Sequence, residues 1–295
     1  MDKQKNMVRA LSENGGVVFC ALDSTDMVRR MEEIHKTGAE ASAALGRLLT
    51  AASMMGIMLK NTGDSITLRV KGDGPLGLVM AVADGLGRVK GCVSNPLVEL
   101  PPREDGHLDV GSAVGRDGTL TVVRDLGLKE PYVGQIPLVS GEIAEDITSY
   151  YAISEQIPSA CALGVLVNPD LSIACAGGYL VQLLPGATEE EISMLENNLA
   201  NTPSVTQLLS EGKTPEDMME LVMAGFDPQI LDSHRVDYTC DCSLERTERV
   251  LISLGKEELR KLMEEEPDGV VEVQCHFCDK RYRVPLAPLL QEMEQ

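Results

Sequence analysis

The sequence has no tryptophan, three phenylalanines and six tyrosines, so aromatic residues make up 3% of its 295 positions. It has no run of about 18 apolar residues, the length a membrane-spanning helix needs. The opening Met1-Asp2-Lys3-Gln4-Lys5 leads into no signal-type apolar core. The expectation is a soluble, cytoplasmic protein with no membrane partner. G-x-x-x-x-G-K-[ST], H-E-x-x-H and G-x-S-x-G are also missing. ATP-driven and serine-hydrolase mechanisms therefore lack support, no catalytic residue is assigned, and the protein reads as a non-enzyme. Positive charge is scarce too, with 26 Lys and Arg against 46 Asp and Glu and a net charge of −20. The deficit is spread along the chain: 16 basic and 22 acidic side chains in residues 1–184, 2 and 10 in 185–235, and 8 and 14 in 236–295. A nucleic-acid binder needs a basic face to displace counterions from phosphates. No segment has such an excess, so no nucleic-acid partner is expected.

What the chain does have is a 43% apolar fraction over a length sufficient for one substantial core and a smaller module. Residues 1–184 read as mixed α and β. Gly15–Asp23, Ile66–Lys71, Leu76–Ala83, Arg88–Val93 and Thr119–Leu126 suit strands, and Ile143–Gln156 suits a helix. Gly38–Lys60, rich in Ala, Met and Leu, predicts a helix packed closely on a sheet. Ala160–Val167 and Ser172–Leu184 flank the turn sequence Asn168-Pro169-Asp170-Leu171 and predict a hairpin. Hairpins dominate, so the fold class is α+β: an N-terminal mixed or antiparallel sheet domain with packed helices (1–184), a helical linker (185–235) and a small C-terminal module of helices and a β-hairpin (236–295). In the linker, Thr188 with Glu191 forms a capping box before the stripe Ile192, Leu195, Leu199. Thr214-Pro215-Glu216-Asp217 starts another short helix rich in methionine. Such helices are marginal alone and must dock on a neighbour. Their methionines suit either ordinary core filling or an adaptable surface for varied clients. Gly72-Asp73-Gly74-Pro75-Leu76-Gly77 matches G-x-G-x-x-G, but a strand follows, so it reads as a glycine hairpin rather than a nucleotide loop.

Chemistry concentrates in residues 236–295. Cys240 and Cys242 form a C-x-C pair, Cys275 and Cys278 a C-x-x-C pair, and 32 residues separate the two pairs. Side chains at i and i+2 of an extended segment share a face, and a C-x-x-C turn converges two sulfurs, so the four predict a closed tetrahedral Zn2+ site. The surroundings, Val270–Gln274 and Arg281–Val284 as strands with helices over Ser243–Leu254 and Lys256–Glu265, place Cys275 and Cys278 at a hairpin corner. A thioredoxin-type use of Cys275-His276-Phe277-Cys278 would need the motif to open a helix, and a strand follows instead. His276 or His234 is the alternative ligand should one cysteine be replaced. Cys20, Cys92, Cys161 and Cys175 lie in apolar, strand-like stretches and read as buried thiols. A module of about 60 residues with few aromatics buries little, so a structural zinc contributing on the order of 10–16 kcal/mol would make its fold conditional on the ion. Thiolates are also the form that oxidants attack, so the site can act as an oxidation-triggered release.

Cys240-x-Cys242-Ser243-x-Glu245-Arg246, the later C-x-x-C, Ser154-Glu155-Gln156-Ile157-Pro158-Ser159 and Gly178-Tyr179-Leu180-Val181-Gln182-Leu183-Leu184-Pro185-Gly186 together resemble the redox-regulated heat-shock chaperone family of thirty-three kilodaltons found in bacteria. The likeness runs over essentially the whole chain. It implies an ATP-independent holdase, zinc-bound and idle when reduced. It further implies that oxidation forms Cys240–Cys242 and Cys275–Cys278 disulfides, releases zinc, unfolds the C-terminal half and favours a homodimer. That dimer would hold unfolding client proteins until ATP-dependent foldases take over. On this likeness Cys240, Cys242, Cys275 and Cys278 are zinc ligands and redox-active thiols at once. The rival readings are a zinc-ribbon module that binds nucleic acid or a protein partner, and a thiol oxidoreductase.

Overall fold

Along Ala39–Ile57 every residue but Ala39 and Arg47 is buried. A helix that is mostly apolar on every side must be enclosed, and the larger part of the chain is built to enclose this one. A computed structural model describes residues 5–293, which fall into two compact units, Met1–Thr239 and Cys240–Gln295. The first unit runs β1 (Met7–Leu11), β2 (Val17–Asp23), α1 (Thr25–His35), α2 (Ala39–Ile57), β3 (Ser65–Lys71), β4 (Leu78–Asp84), β5 (Val89–Val93), α3 (Val110–Val114), β6 (Thr119–Asp125), β7 (Tyr132–Pro137), α4 (Ala144–Tyr150), β8 (Ser159–Val167), β9 (Ile173–Leu183), α5 (Glu189–Asn201), α6 (Val205–Ser210), α7 (Pro215–Val222) and β10 (Gln229–Asp232). The second runs α8 (Leu244–Ser253), α9 (Lys256–Glu265), β11 (Val270–Gln274), β12 (Arg281–Pro285) and α10 (Leu286–Glu292). The fold is α+β with antiparallel sheets.

The first unit holds two five-stranded antiparallel sheets, in the orders β10-β1-β2-β9-β8 and β5-β4-β3-β6-β7. Helix α2 packs on both, against β2, β8 and β9 on one side and β3, β4 and β5 on the other. Small residues permit this close approach. A Cβ on Gly46 would lie 2.9 Å from both Val165 and Val28, and one on Gly56 would lie 2.5 Å from the Asp84 carbonyl. The Gly72–Gly77 stretch joins β3 to β4 as a hairpin, with Gly72 and Gly74 lying against the Ala113–Gly115 backbone. The β8–β9 hairpin turns at Asn168–Leu171, where Leu171 takes a left-handed conformation.

Residues 185–228 pack on the outer face of the first sheet. There Phe19 and Tyr179 stack with ring centroids 5.8 Å apart, beneath Leu208, Met218, Met219 and Val222. The Thr188 N–H donates to Glu191 (2.8 Å) and the Glu191 N–H donates back to the Thr188 hydroxyl (3.3 Å), closing the capping box. Thr214 and Asp217 close a second box at the start of α7, with Pro215 in the first turn. The stretch read as wholly helical also contains a strand: Gln229–Asp232 leaves the helices and pairs antiparallel with β1. Beyond it, residues 233–239 strap the two sheets. The Asn6 side chain brackets Val236 through both its N–H (2.8 Å) and its carbonyl (3.0 Å). Tyr238 Oη donates to the Gly91 carbonyl at 2.9 Å, and the Thr239 N–H donates to the Val89 carbonyl at 2.8 Å.

Candidate metal centre

The second unit packs α8, α9, α10 and the β11–β12 hairpin around Leu251, Leu259, Val284, Leu286, Leu289 and Leu290. Cys240 and Cys242 lie in non-helical chain just ahead of α8, whose first turn is fixed by the Arg246 N–H donating to the Ser243 hydroxyl (3.1 Å). Asp241, between the two cysteines, pairs with Arg246. Cys275 and Cys278 occupy the corner between β11 and β12. The Cys275 N–H donates to the Lys280 carbonyl (2.9 Å) and the Asp279 N–H to the Cys275 carbonyl (3.0 Å). Asp279 adopts a left-handed φ of 55°, a conformation Asp tolerates, and this turns the chain back into β12.

These elements bring the four sulfurs within 4.8 Å of one another, with Cys242 and Cys278 3.3 Å apart and Cys240 and Cys275 3.7 Å apart. A tetrahedral zinc with bonds of about 2.3 Å requires sulfur–sulfur edges of about 3.8 Å. The cluster therefore suits one tetrahedral ion, and its all-sulfur donor set suits a borderline-soft metal. Four protein donors would complete such a shell and leave no position for a substrate water. Among the described residues no disulfide joins any of the eight cysteines.

Cys240, Cys242 and Cys278 are shifted unequally. Burial pushes the Cys240 and Cys278 thiols up. Burial also opposes ionisation of Cys242, but hydrogen bonds from Tyr282 Oη (3.0 Å) and the neighbouring thiols outweigh it and bring this group down to about 7. The same hydrogen bond to Cys242 pushes the Tyr282 phenol up to about 12. Tyr282 went unread in the sequence. The signal for it was the strand alternation that puts Tyr282 beside Val273 across the hairpin.

The two histidines considered as substitute ligands lie outside the cluster. His276 is exposed, and His234 contacts the Leu86 carbonyl at 3.1 Å and Asp232 at 3.2 Å. The other cysteines are placed as strand thiols. Burial pushes Cys20 and Cys161 up to about 12, and the buried Cys175 lies 3.6 Å from the Thr206 carbonyl. Cys92 is half-buried on β5. Among the described residues no helix is long and apolar enough to cross a membrane.

Comparison with known proteins agrees with this architecture. The family described as Hsp33 protein matches residues 5–285. The 33 kDa chaperonin of Clostridioides difficile (strain 630) is 47% identical over 289 residues, covering 98% of each chain. That of Alkaliphilus metalliredigens (strain QYMF) is 44% identical, covering 97% of this chain and 99% of its own. The crystal structure of the 33 kDa chaperonin from Thermotoga maritima, an Hsp33 homologue, superposes with a TM-score of 0.89 at 36% identity, covering 99% of this chain and 100% of that one. With two antiparallel sheets around a buried helix, a cysteine-rich C-terminal unit and relatives matched end to end, the chain belongs to the Hsp33 family.

Proposed function

We propose that this protein is a redox-switched, ATP-independent holdase of the bacterial cytoplasm. The observation that carries the reading is the gathering of four thiols in a unit whose core contains six buried apolar side chains among the described residues. Cys240, Cys242, Cys275 and Cys278 hold Zn2+, which supplies the folding energy that so small a core lacks. Peroxide is attacked by a thiolate, which becomes a sulfenic acid as one oxygen leaves as water. The partner thiol then displaces the second oxygen as water and closes a disulfide. Cys240–Cys242 and Cys275–Cys278 form in this way, each at the cost of one peroxide, and leave the metal without donors.

Residues 236–295 then unfold as the redox-switch domain. Thr239 is hydrogen-bonded to Val89 and immediately precedes Cys240, so rearrangement at the C-x-C pair is delivered straight into the strap. The linker (185–235) loosens from the N-terminal core (1–184) and bares the Phe19–Tyr179 face beneath its methionines. Unfolding client proteins bind there, the oxidised form is a homodimer, and clients pass on to ATP-dependent foldases.

Light scattering of a thermally unfolding client without ATP tests the proposal. Protection is expected from the peroxide-oxidised protein and not from the reduced, zinc-loaded one. Equal protection in both states would remove the switch, and none in either would remove the chaperone.

A further inference from the structure

The first sheet ends in a thin edge. β10 is four residues long and pairs Arg9 with Asp232, Ala10 with Ile230 and Leu11 with Gln229, with a register slip between the first two pairs. Its side chains do little of the holding, for Ile230 is 51% and Leu231 53% exposed. Main-chain pairing therefore seats this strand, and the partner groups can be identified. The Met7 and Glu13 N–H groups donate to the His234 and Phe226 carbonyls (3.2 Å each), whereas the Ser12 N–H turns the other way, to Val17 (2.8 Å). Alternation along an antiparallel strand then points the amides of Met7, Arg9, Leu11 and Glu13 at the segment 226–234, and those of Val8 and Ala10 at β2. The side chains of Val8 and Ala10 belong to the apolar face roofed by α5–α7, the face that also carries Phe19 and Tyr179.

We infer that β10 occupies the place of a client, and that β1, once uncovered, takes an extended segment of an unfolding polypeptide by strand addition. This rests on the holdase reading and names how that surface grips. An unpaired edge attracts any extended chain through its amides and carbonyls. A strand added beside β1 lays alternate side chains on the bared face next to Val8 and Ala10. The preferred occupant is thus an alternately apolar stretch of unfolded chain, with little dependence on its detailed sequence. In the resting protein the short, outward-facing β10 blocks that edge.

Hydrogen exchange of the full-length protein, read at single residues by mass spectrometry, tests this with reduced, carboxymethylated α-lactalbumin as the unfolded client. Oxidation should speed exchange at Met7, Arg9 and Leu11 at least tenfold, and the client should slow it at least tenfold again, with Val8 and Ala10 unchanged. Suppressed aggregation with no re-protection of these amides would overturn strand addition and leave the holdase standing. No suppression of aggregation would instead sink the holdase reading itself. Slow exchange in the oxidised protein before client is added would mean that β10 stays or a second copy fills the edge, which also overturns the inference. A second arm uses Gln229→Pro, which at an exposed position removes the β10 amide that faces Leu11. In the reduced state it should open the same amides and gain part of the client protection without oxidant, while β3–β4 amides stay protected. An edge that opens without binding client, or that stays closed, contradicts the inference.

Discussion

The two compact units differ in what holds them together. Among the described residues, forty-two buried ones form the cluster around α2 and fifteen more the cluster under α5–α7 in the first unit, whereas six form the core of the second. A body with the first kind of core is stable by burial and needs no cross-link. One with the second kind lies at the size where metals or disulfides are normally required. The difference shows where a switch can be built. A part whose stability comes from one replaceable bond set can be lost while its neighbour persists, and the four sulfurs stand in that part.

The largest expected effect breaks the comparison at its weak side. With zinc held as proposed, Cys275→Ser or chelation of the metal removes a contribution on the order of 10 kcal/mol, comparable to the whole net stability of a domain of ordinary size. Amides of β11 and β12 should then exchange at unfolded-chain rates while those of β3 and β4 remain protected, as hydrogen exchange would show. If β11–β12 protection survived the loss of metal, burial alone would suffice and the contrast between the two units would be false.

The next effect is smaller and lies beside the sulfurs. Tyr282 donates to Cys242 at 3.0 Å, and partners that hydrogen-bond to a metal's ligands tune how firmly the ligands hold. Tyr282→Phe should speed release of zinc to a chromogenic chelator about tenfold with the fold of the unit unchanged. An unchanged rate would assign the grip to the four cysteines alone.

How much of this was legible in the sequence follows from how local each signal is. The cysteine spacing is a local pattern, and so are the Asn168–Leu171 turn, the Thr188 and Thr214 capping boxes and the small-residue helix α2. β10 is different, because its Gln-Ile-Leu-Asp, exposed at the first three positions, carries no alternation of burial and its identity comes from pairing with β1, more than two hundred residues earlier. β1 itself is five residues long and has no turn signal before it. Helix α1 sits behind Ser24-Thr25-Asp26, yet Ser24 makes no side-chain cap, and the helix ends in a left-handed Lys36 rather than a glycine. Tyr282 is legible as a strand residue but not as a thiol's donor, since that contact spans 40 residues and needs the hairpin formed.

The smallest expected effect concerns the linker helices, which sharpen the contrast by showing how lightly they are tied. The Glu191 carboxyl is held below its ordinary value of 4.5, first by the Thr188 N–H and next by the Asn14 side chain. The folded state therefore gives up this proton more readily than the unfolded chain does. The stabilisation it lends to α5 is complete above the unfolded value and is lost as pH falls through the lowered folded one. Glu191→Ala should accordingly speed exchange of the first-turn amides of α5 about threefold at about pH 7, a gap that closes as pH falls through the lowered folded value when rates are corrected for intrinsic exchange. Asp217, held below 3.8 in the same way by Thr214, should behave alike at α7. A gap that persisted in acid would mean that the Glu191 side chain supports the helix without its charge, and no gap at neutral pH would mean that the Thr188 hydroxyl alone starts it.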